Sequence, residues 1–319
     1  MRPPTFWKEK TTLSSVLLPV SLVYGWLAKN RQHHAHPVKL SVPVICVGNL
    51  VAGGAGKTPV ALKLGALLKA KGKYAHYLSR GYKGSLDGPV QVNPAIHTVL
   101  EVGDEPLLLA AELPTWVAKD RVAGAKAAIA AGAEMIIMDD GFQNPELHKD
   151  VSLLVIDGRY GLGNERLIPA GPLREPVSAA MDRASAVIIV GDDEHHIALY
   201  IPPATPVLRV QVKPTVSGDA FAGKTVVAFA GIAHPRKFYR TLEAMGHRPK
   251  KMVAYPDHYV FKAKDLAFLR EKAKEQESVL VTTMKDYVRL PAAMQAEVTA
   301  VPIEAVFEDE EALWKVLLT

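Results

Sequence analysis

The sequence predicts an α/β fold with a parallel sheet buried on both faces. Three observations carry this. The short continuous apolar runs EMIIMDD, VSLLVID and SAVIIVGD read as strands with hydrophobic neighbours above and below. Stretches with helical spacing alternate with such runs along the chain. A glycine-rich turn, GNLVAGGAGKT at 48–58, lies between an apolar run and a helical pattern. That is the setting in which backbone amides face phosphate oxygens.

The first element is LSSVLLPVSLVYGWLA, residues 13–28. Leu13, Val16, Leu17, Val20, Tyr24 and Leu27 share one helical face, and Ser14, Ser21, Gly25 and Ala28 lie roughly opposite. The run has 16 residues and contains Pro19, short of the roughly 20 apolar residues that span a bilayer. Arg2, Lys8, Lys10, Lys29, Arg31 and Lys39 against Glu9 place a charge of +5 around it, which is the whole formal charge of the chain. A nucleic-acid binder more often spreads its basic face over a folded domain. Here the pattern favours a helix in a membrane interface, its apolar side in acyl chains and its cations at anionic headgroups. A signal peptide and a core helix are the alternatives. His33, His34 and His36 follow, read as a solvated linker rather than a metal site.

VPVICVG then forms a strand, the glycine turn follows, and residues 59–71 form a helix opened by Pro59 and closed by Gly72. YAHYLSRG is the next strand and turn, and RVAGAKAAIAA at 121–131 an Ala-rich helix. The three apolar runs complete the first sheet. Residues 201–223 carry four prolines and read as a linker or extended ribbon. Beyond them TVVAFAGI, KMVAYPDH and SVLVTTM, with helices near 235–245 and 263–275, suggest a second, smaller α/β unit. EDEEALWKVLL ends the chain as a helix. The expected division is 1–34 for the N-terminal helix, 35–218 for the larger domain and 219–319 for the smaller, with the last helix free to pack back on the first domain. The length of 319 residues and 49% hydrophobic content suit two cored domains. The single cysteine, Cys46, lies in an apolar strand, so no disulfide forms within the chain and a reducing compartment fits.

The glycine turn ends like a phosphate-binding loop but begins differently. The usual pattern G-x-x-x-x-G-K-[ST] would put glycine at 51, where this chain has Val51. Residues Val51, Ala52, Gly53, Gly54, Ala55, Gly56, Lys57 and Thr58 are the candidate nucleotide contacts, with Lys57 for the β- and γ-phosphates and Thr58 for Mg²⁺. A magnesium-nucleotide site also needs a carboxylate at a neighbouring strand end. Asp139 and Asp140 offer it, and because side chains alternate along a strand only one faces the nucleotide. Asp157 ranks second.

GNLVAGGAGKTPV, SRGYKG, VGDEP, DDGFQ, IDGRYGLGNERLIPAGPLREP, FAGIAHPRKFYRTL, YPDH and TTMKDYVRL occur in this order over nearly the whole chain. Together they resemble the tetraacyldisaccharide 4′-kinase family, the lipid A kinases of Gram-negative bacteria. The resemblance implies a P-loop domain joined to a smaller α/β domain, with the active site in the cleft between them. It implies ATP as donor, Mg²⁺ as cofactor and the 4′-hydroxyl of a tetraacylated glucosamine disaccharide 1-phosphate as acceptor. It also implies work at the cytoplasmic face of the inner membrane. A monomer is expected and no nucleic-acid partner. The family's base matches Asp104, assisted by a histidine that matches His258. Arg121 and Arg174 match arginines suited to spread the charge of the transferring phosphoryl group. Glu105 is a candidate Mg²⁺ contact, and Arg80, Tyr82 and Lys83 are candidates for the acceptor's 1-phosphate or sugar. Lys285 and Asp286 match a family motif without an assigned role. One departure stands out: Asn144 replaces the histidine that usually follows DDGFQ, with His148 four residues on. The rival function is a nucleotide-switch GTPase or ATPase, for which TTMKDYV resembles a base-recognition motif only loosely. A non-enzymatic membrane-bound nucleotide sensor is the other.

Overall fold

A computed structural model describes residues 4–318, and their chain divides into two compact units. The smaller is Lys213–Glu304, and the chain returns to the larger unit at Ala305. In the larger unit the strands are β1 (Val44–Asn49), β2 (Ala75–Ser79), β3 (Val90–Gln91), β4 (Thr115–Val117), β5 (Met135–Asp139), β6 (Val151–Asp157), β7 (Ala186–Val190) and β8 (Val207–Pro214). In the smaller they are β9 (Thr225–Ala230), β10 (Lys251–Ala254), β11 (Ser278–Thr283) and β12 (Val298–Val301), and β13 (Ile303–Phe307) closes the larger sheet.

The nine-stranded sheet runs β13-β8-β7-β6-β1-β5-β2-β4-β3. From β8 to β4 the pairs are parallel, and only the β3–β4 edge is antiparallel among the assigned pairs. Every residue of β1 and β6 is buried, as continuous apolar runs require. Two apolar clusters cover the faces, one holding Ile45, Val47, Leu64 and Ile188, the other Cys46, Met138, Phe142 and Ile189. Burial pushes the Cys46 thiol up to about 12, so it is protonated and inert. The smaller sheet, β10-β9-β11-β12, is parallel throughout, with its own cluster on each face.

Of the two readings of residues 201–223, linker or extended ribbon, the extended one describes 207–214. Val207–Pro214 forms β8, paired in parallel with β7, because Val207, Leu208 and Val210 supply the apolar side chains an outer strand needs.

The N-terminal segment is two helices, α1 (Thr12–Val16) and α2 (Leu18–His33). Thr11 and Ser14 form a reciprocal capping box at the start of α1. Pro19 lies in the first turn of α2, where its missing N–H has no intrahelical partner to lose, so it begins a helix rather than breaking one. The helix continues past residue 28 to His33, which corrects the linker reading of His33; His34 is its C-cap. Among the described residues no helix is long and apolar enough to cross a membrane.

The orientation of this pair is the unusual feature. Its small residues face the protein. Ser21 Oγ donates to Leu167 O at 2.9 Å and accepts from Ala170 N at 3.0 Å. A Cβ on Gly25 would stand 2.5 Å from Leu167 Cδ1. Ser14 Oγ accepts from Arg166 Nη1 at 2.7 Å. The large residues face outward: Val16 is 69% exposed, Leu22 70% and Trp26 64%. A core helix would show the reverse.

Ser21→Val should destabilise the larger unit by about 2 kcal/mol, since it strands the buried Ala170 N–H and crowds Leu167. Leu22→Ser, on the outward face, should change stability by no more than about 0.5 kcal/mol. Chemical denaturation of the two variants checks the difference.

Candidate active site

The phosphate loop leaves β1 at Asn49 and enters α3 (Lys57–Ala70) at Gly56, whose φ of 93° lies in the left-handed region. Val51 has a local explanation. Its backbone forms an antiparallel bridge with Leu173, and Ala52 N donates to Pro172 O at 2.8 Å. Position 51 is therefore extended and paired, so a valine fits where the usual loop turns on a glycine. With the Ala52 amide spent on Pro172, the turn itself falls on 53–56.

Lys57 is buried at the helix start. Its Nζ donates to Asn49 Oδ1 at 3.1 Å and lies 3.6 Å from Asp140 Oδ1. Arg174 reaches the same carboxylate, Nη1 to Oδ1 at 2.9 Å and Nη2 to Oδ2 at 3.3 Å. Burial pushes the Asp140 carboxyl up, but the two cations outweigh it and hold the group at about 2. Gln143 locks the arrangement: its Nε2 donates to Asn49 O at 2.9 Å and to Glu175 Oε1 at 3.0 Å, and its Oε1 accepts from Arg174 Nη1 at 3.2 Å. Asn49 also donates to Val51 O and to Gly53 O. Asp139 is the buried last residue of β5, registered against Val47 of β1. Asp140, at φ 52°, turns out of the strand line toward Lys57.

Further along the sheet edge, β2 ends beside β5 and β4 beside β2. Parallel strands end on one side, so the ends of β1, β5, β2 and β4 span roughly 14 Å at about 4.8 Å per strand. SRGYKG leaves β2 and packs on the turn carrying VGDEP. Gly103 has φ 86°, and a Cβ there would meet Tyr82 O at 2.7 Å. Asp104 opens α5, Asp104–Ala110. It is buried, and its Oδ1 accepts from Glu105 N at 3.0 Å. Arg80, Tyr82 and Lys83 are exposed, with Lys83 Nζ 5.9 Å from the Tyr82 ring centre.

Arg121 opens α6 (Arg121–Ala130), whose N-cap Asp120 accepts from Ala123 N at 2.9 Å. The Arg121 side chain donates to Ala118 O, and its buried Nε has no hydrogen-bond partner among the described residues. Burial and then the neighbouring Arg80 lower it to about 10, while Asp140 and Asp139 act in the opposite direction. It stays charged at neutral pH. Arg80, Arg121, Asp139 and Asp140 thus share one electrostatic field at the ends of adjacent strands.

Other sequence candidates serve turns. Asp157 Oδ1 accepts from Arg159 N and Tyr160 N at 3.0 and 3.1 Å. Asn144 Oδ1 accepts from Glu146 N and Leu147 N, both at 3.1 Å, and His148 faces Asp150 at 3.7 Å. Asn49, Gln143 and Glu175 escaped the sequence reading. Asn49 left one signal, an amide side chain closing the otherwise apolar run VICVG.

In the smaller unit His258, at φ 55°, follows β10. Asp286 is paired with Arg289 at 2.9 Å.

A parallel sheet with a GGxGKT loop after a central strand, a helix opened by its lysine, and acidic residues ending the next strand defines a phosphate-loop nucleotide-binding protein. Residues 13–319 match the family model described as tetraacyldisaccharide-1-P 4′-kinase. The chain belongs to the tetraacyldisaccharide 4′-kinase family. It is similar to the tetraacyldisaccharide 4′-kinases of Rhodospirillum centenum, with 48% identity over 99% of this chain and 96% of that one, and of Rhodospirillum rubrum, with 46% identity over 97% and 95%. Its fold is similar to the crystal structure of LpxK from Aquifex aeolicus in complex with ATP, with a TM-score of 0.78, 30% identity, and coverage of 96% of this chain and 99% of that one.

Because Asp140 titrates below its unfolded value of about 3.9, the stabilisation it provides is complete above that value and is lost as pH falls toward about 2. Asp140→Asn should therefore lose about 1–2 kcal/mol less stability than wild type between pH 4 and pH 2. Urea unfolding across that window measures the difference.

Proposed function

We propose that this chain transfers the γ-phosphate of ATP to the 4′-hydroxyl of a tetraacylated glucosamine disaccharide 1-phosphate. The observation that carries the reading is the meeting of Lys57, Asp140 and Arg174 beside the phosphate loop, in a chain of this family. Amides of residues 53–58 take the phosphate oxygens, aided by the positive end of α3. Lys57 turns from Asp140 and Asn49 to the β- and γ-phosphates. Family membership favours the kinase over the switch or sensor alternatives.

Phosphoryl transfer is mainly positioning and charge stabilisation. Arg174 and Arg121 spread the charge on the transferring group, and the spare Nε of Arg121 suits an incoming anion. Asp104 accepts the hydroxyl proton, with His258 as its helper. Burial of Asp104 beside the Gly103 turn, with its Oδ1 held by the Glu105 amide, fixes the carboxylate in place and supports the assignment. Arg80, Lys83 and Tyr82 present two cations and a ring to the acceptor's 1-phosphate and sugar. The donor set is all oxygen, which suits Mg²⁺ and its habit of binding through one or two carboxylates and the substrate phosphates. Thr58 and Asp139 would hold it, with Asp140 and Glu105 as the further candidate contacts. When bound it neutralises charge on the phosphate oxygens.

We place the work at the cytoplasmic face of an anionic membrane. The outward Val16, Val20, Leu22, Val23, Trp26 and Leu27, flanked by Lys8, Lys10, Lys29 and Arg31, support interfacial docking.

Transfer of ³²P from ATP to the acylated disaccharide tests the reaction. Asp104→Asn should lower turnover by about 10²–10⁴-fold while nucleotide binding is kept; full turnover in this variant would reject Asp104 as base. For the membrane, Val20→Glu with Trp26→Glu should move the protein from pelleted anionic vesicles to the supernatant. Unchanged pelleting would exclude this face as the contact.

A further inference from the structure

The inward face of α2 extends beyond the small residues that seat it. Ser21, Tyr24, Gly25, Ala28 and Gln32 follow the spacing i, i+3, i+4, i+7 and i+11, which is one stripe along a helix. Ser21 and Gly25 are buried and Tyr24, Ala28 and Gln32 half-buried, while Leu22, Val23, Trp26 and Leu27 between them are exposed. Eleven residues make about three turns, so Ser21 and Gln32 point the same way from positions about 16 Å apart.

Each end of the stripe holds a different segment of the nucleotide site. At one end Ser21 grips Leu167 O and Ala170 N, in the connection that carries Arg174. At the other end Gln32 Nε2 donates to Gln143 O at 3.1 Å, in the turn that follows Asp140. Between them Tyr24 lies in the field of Arg174 and Glu175: burial pushes its hydroxyl up, Arg174 opposes the rise and Glu175 adds to it. The chain beyond the helix is attached to the same turn, with Val38 N donating to Glu146 O at 2.8 Å and His148 N to Val38 O at 3.0 Å. Arg31 also reaches Glu146, at 3.2 Å, but both side chains are exposed and such a pair contributes little. The half-buried amide of Gln32 is the specific contact.

Its target is the point where the polar groups of the site meet. The Gln143 side chain bonds Asn49 O, Glu175 and Arg174, and Asn49 in turn accepts from Lys57. Gln143 lies in a turn, outside any helix or strand, so its carbonyl has no ladder to hold it and depends on an individual donor. A hydrogen bond there fixes the backbone from which the side chain extends. A helix that served only as an anchor would need a seat on the protein, and Ser21 and Gly25 supply one. It would not need a donor directed at the turn that organises Arg174 and Lys57.

We propose that Gln32 is a positioning residue for phosphoryl transfer: by fixing Gln143 it sets Arg174 directly, and Lys57 through Asn49, in the geometry that receives the nucleotide phosphates. This deepens the kinase reading and rests on it. The helix then has two functions on two faces, the outward one toward acyl chains and the inward one toward the nucleotide site. No covalent step is added.

The test uses the full chain. Gln32→Met removes the donor and changes volume and helix preference little. In calorimetry without vesicles, its affinity for a non-hydrolysable ATP analogue should fall about 5-fold, the order expected for one lost hydrogen bond. KM for ATP should rise to match, with KM for the acylated disaccharide unchanged. Gln32→Lys, which restores an N–H donor of similar reach, should recover most of the affinity. In a Gln143→Ala background, where the transmitting side chain is gone, Gln32→Met should cost little more. Partition onto anionic vesicles should stay as in wild type, because the outward face is untouched. No recovery in Gln32→Lys, or an equal loss in both backgrounds, would mean a purely structural glutamine and overturns the proposal. Nucleotide binding by wild type with the same affinity in Gln32→Met sinks this inference alone. A wild type that binds no ATP analogue sinks the kinase reading and this inference with it.

Discussion

A carboxylate at the end of a buried strand must be neutralised, and Asp140 is neutralised by two cations from distant parts of the sequence. Lys57 comes from the phosphate loop and Arg174 from the long connection after β6. Their joint pull outweighs desolvation and keeps the carboxylate ionised. The contact closes the loop, the β5 end and the connection into one unit. It also stores two positive charges beside the place where phosphates would enter, so that an incoming anion exchanges one partner for another and leaves no buried charge alone.

The connection carrying Arg174 has a second attachment. Asn164 is buried and donates to Phe6 O and Ala170 O, Trp7 Nε1 donates to Pro169 O at 2.9 Å, and Leu167 and Ala170 grip Ser21. A few residues later Pro172, Leu173 and Arg174 pair with Ala52, Val51 and Leu50. One stretch of chain therefore holds the outward-facing helix pair on one side and the nucleotide loop on the other. Helix packing by small residues is what leaves the large ones outside. Serine and glycine let α2 approach the backbone of this connection closely, and Val20, Leu22, Val23, Trp26 and Leu27 stay exposed among the described residues.

The smaller unit follows the same rule on a smaller scale. Its parallel strands collect Gly231, His258, Asp286 and Arg289 at one edge, and an ion pair between residues three apart becomes a support for an imidazole contributed by a different strand end. A backbone held in the left-handed region at His258 is kept there by the hydrogen bond from its own amide to Gly231 and by the packing of Tyr255 against Tyr259, whose rings stack at 4.9 Å.

Much of this is legible in the sequence. Apolar runs without alternation determined a parallel sheet covered on both faces, because only strands buried on both sides can dispense with polar positions. GGAGKT after such a run determined a phosphate loop, since glycines, lysine and threonine at that spacing have few other uses. The apolar and small faces of the N-terminal helices could also be read from helical period. Only tertiary structure decided which face turns inward, because a helical pattern records that two faces differ and not which one finds a partner. It alone explained Val51, extended against Leu173, and made 207–214, within the proline-containing 201–223, a strand of the main sheet. It alone joined Asn49 and Gln143 to Lys57, and Arg289 to His258. Those are contacts between strand ends and loops separated by 8 to 94 residues in the chain. Periodicity reports what each segment wants to bury, while the pairing of polar groups is settled by which strand ends the sheet sets side by side.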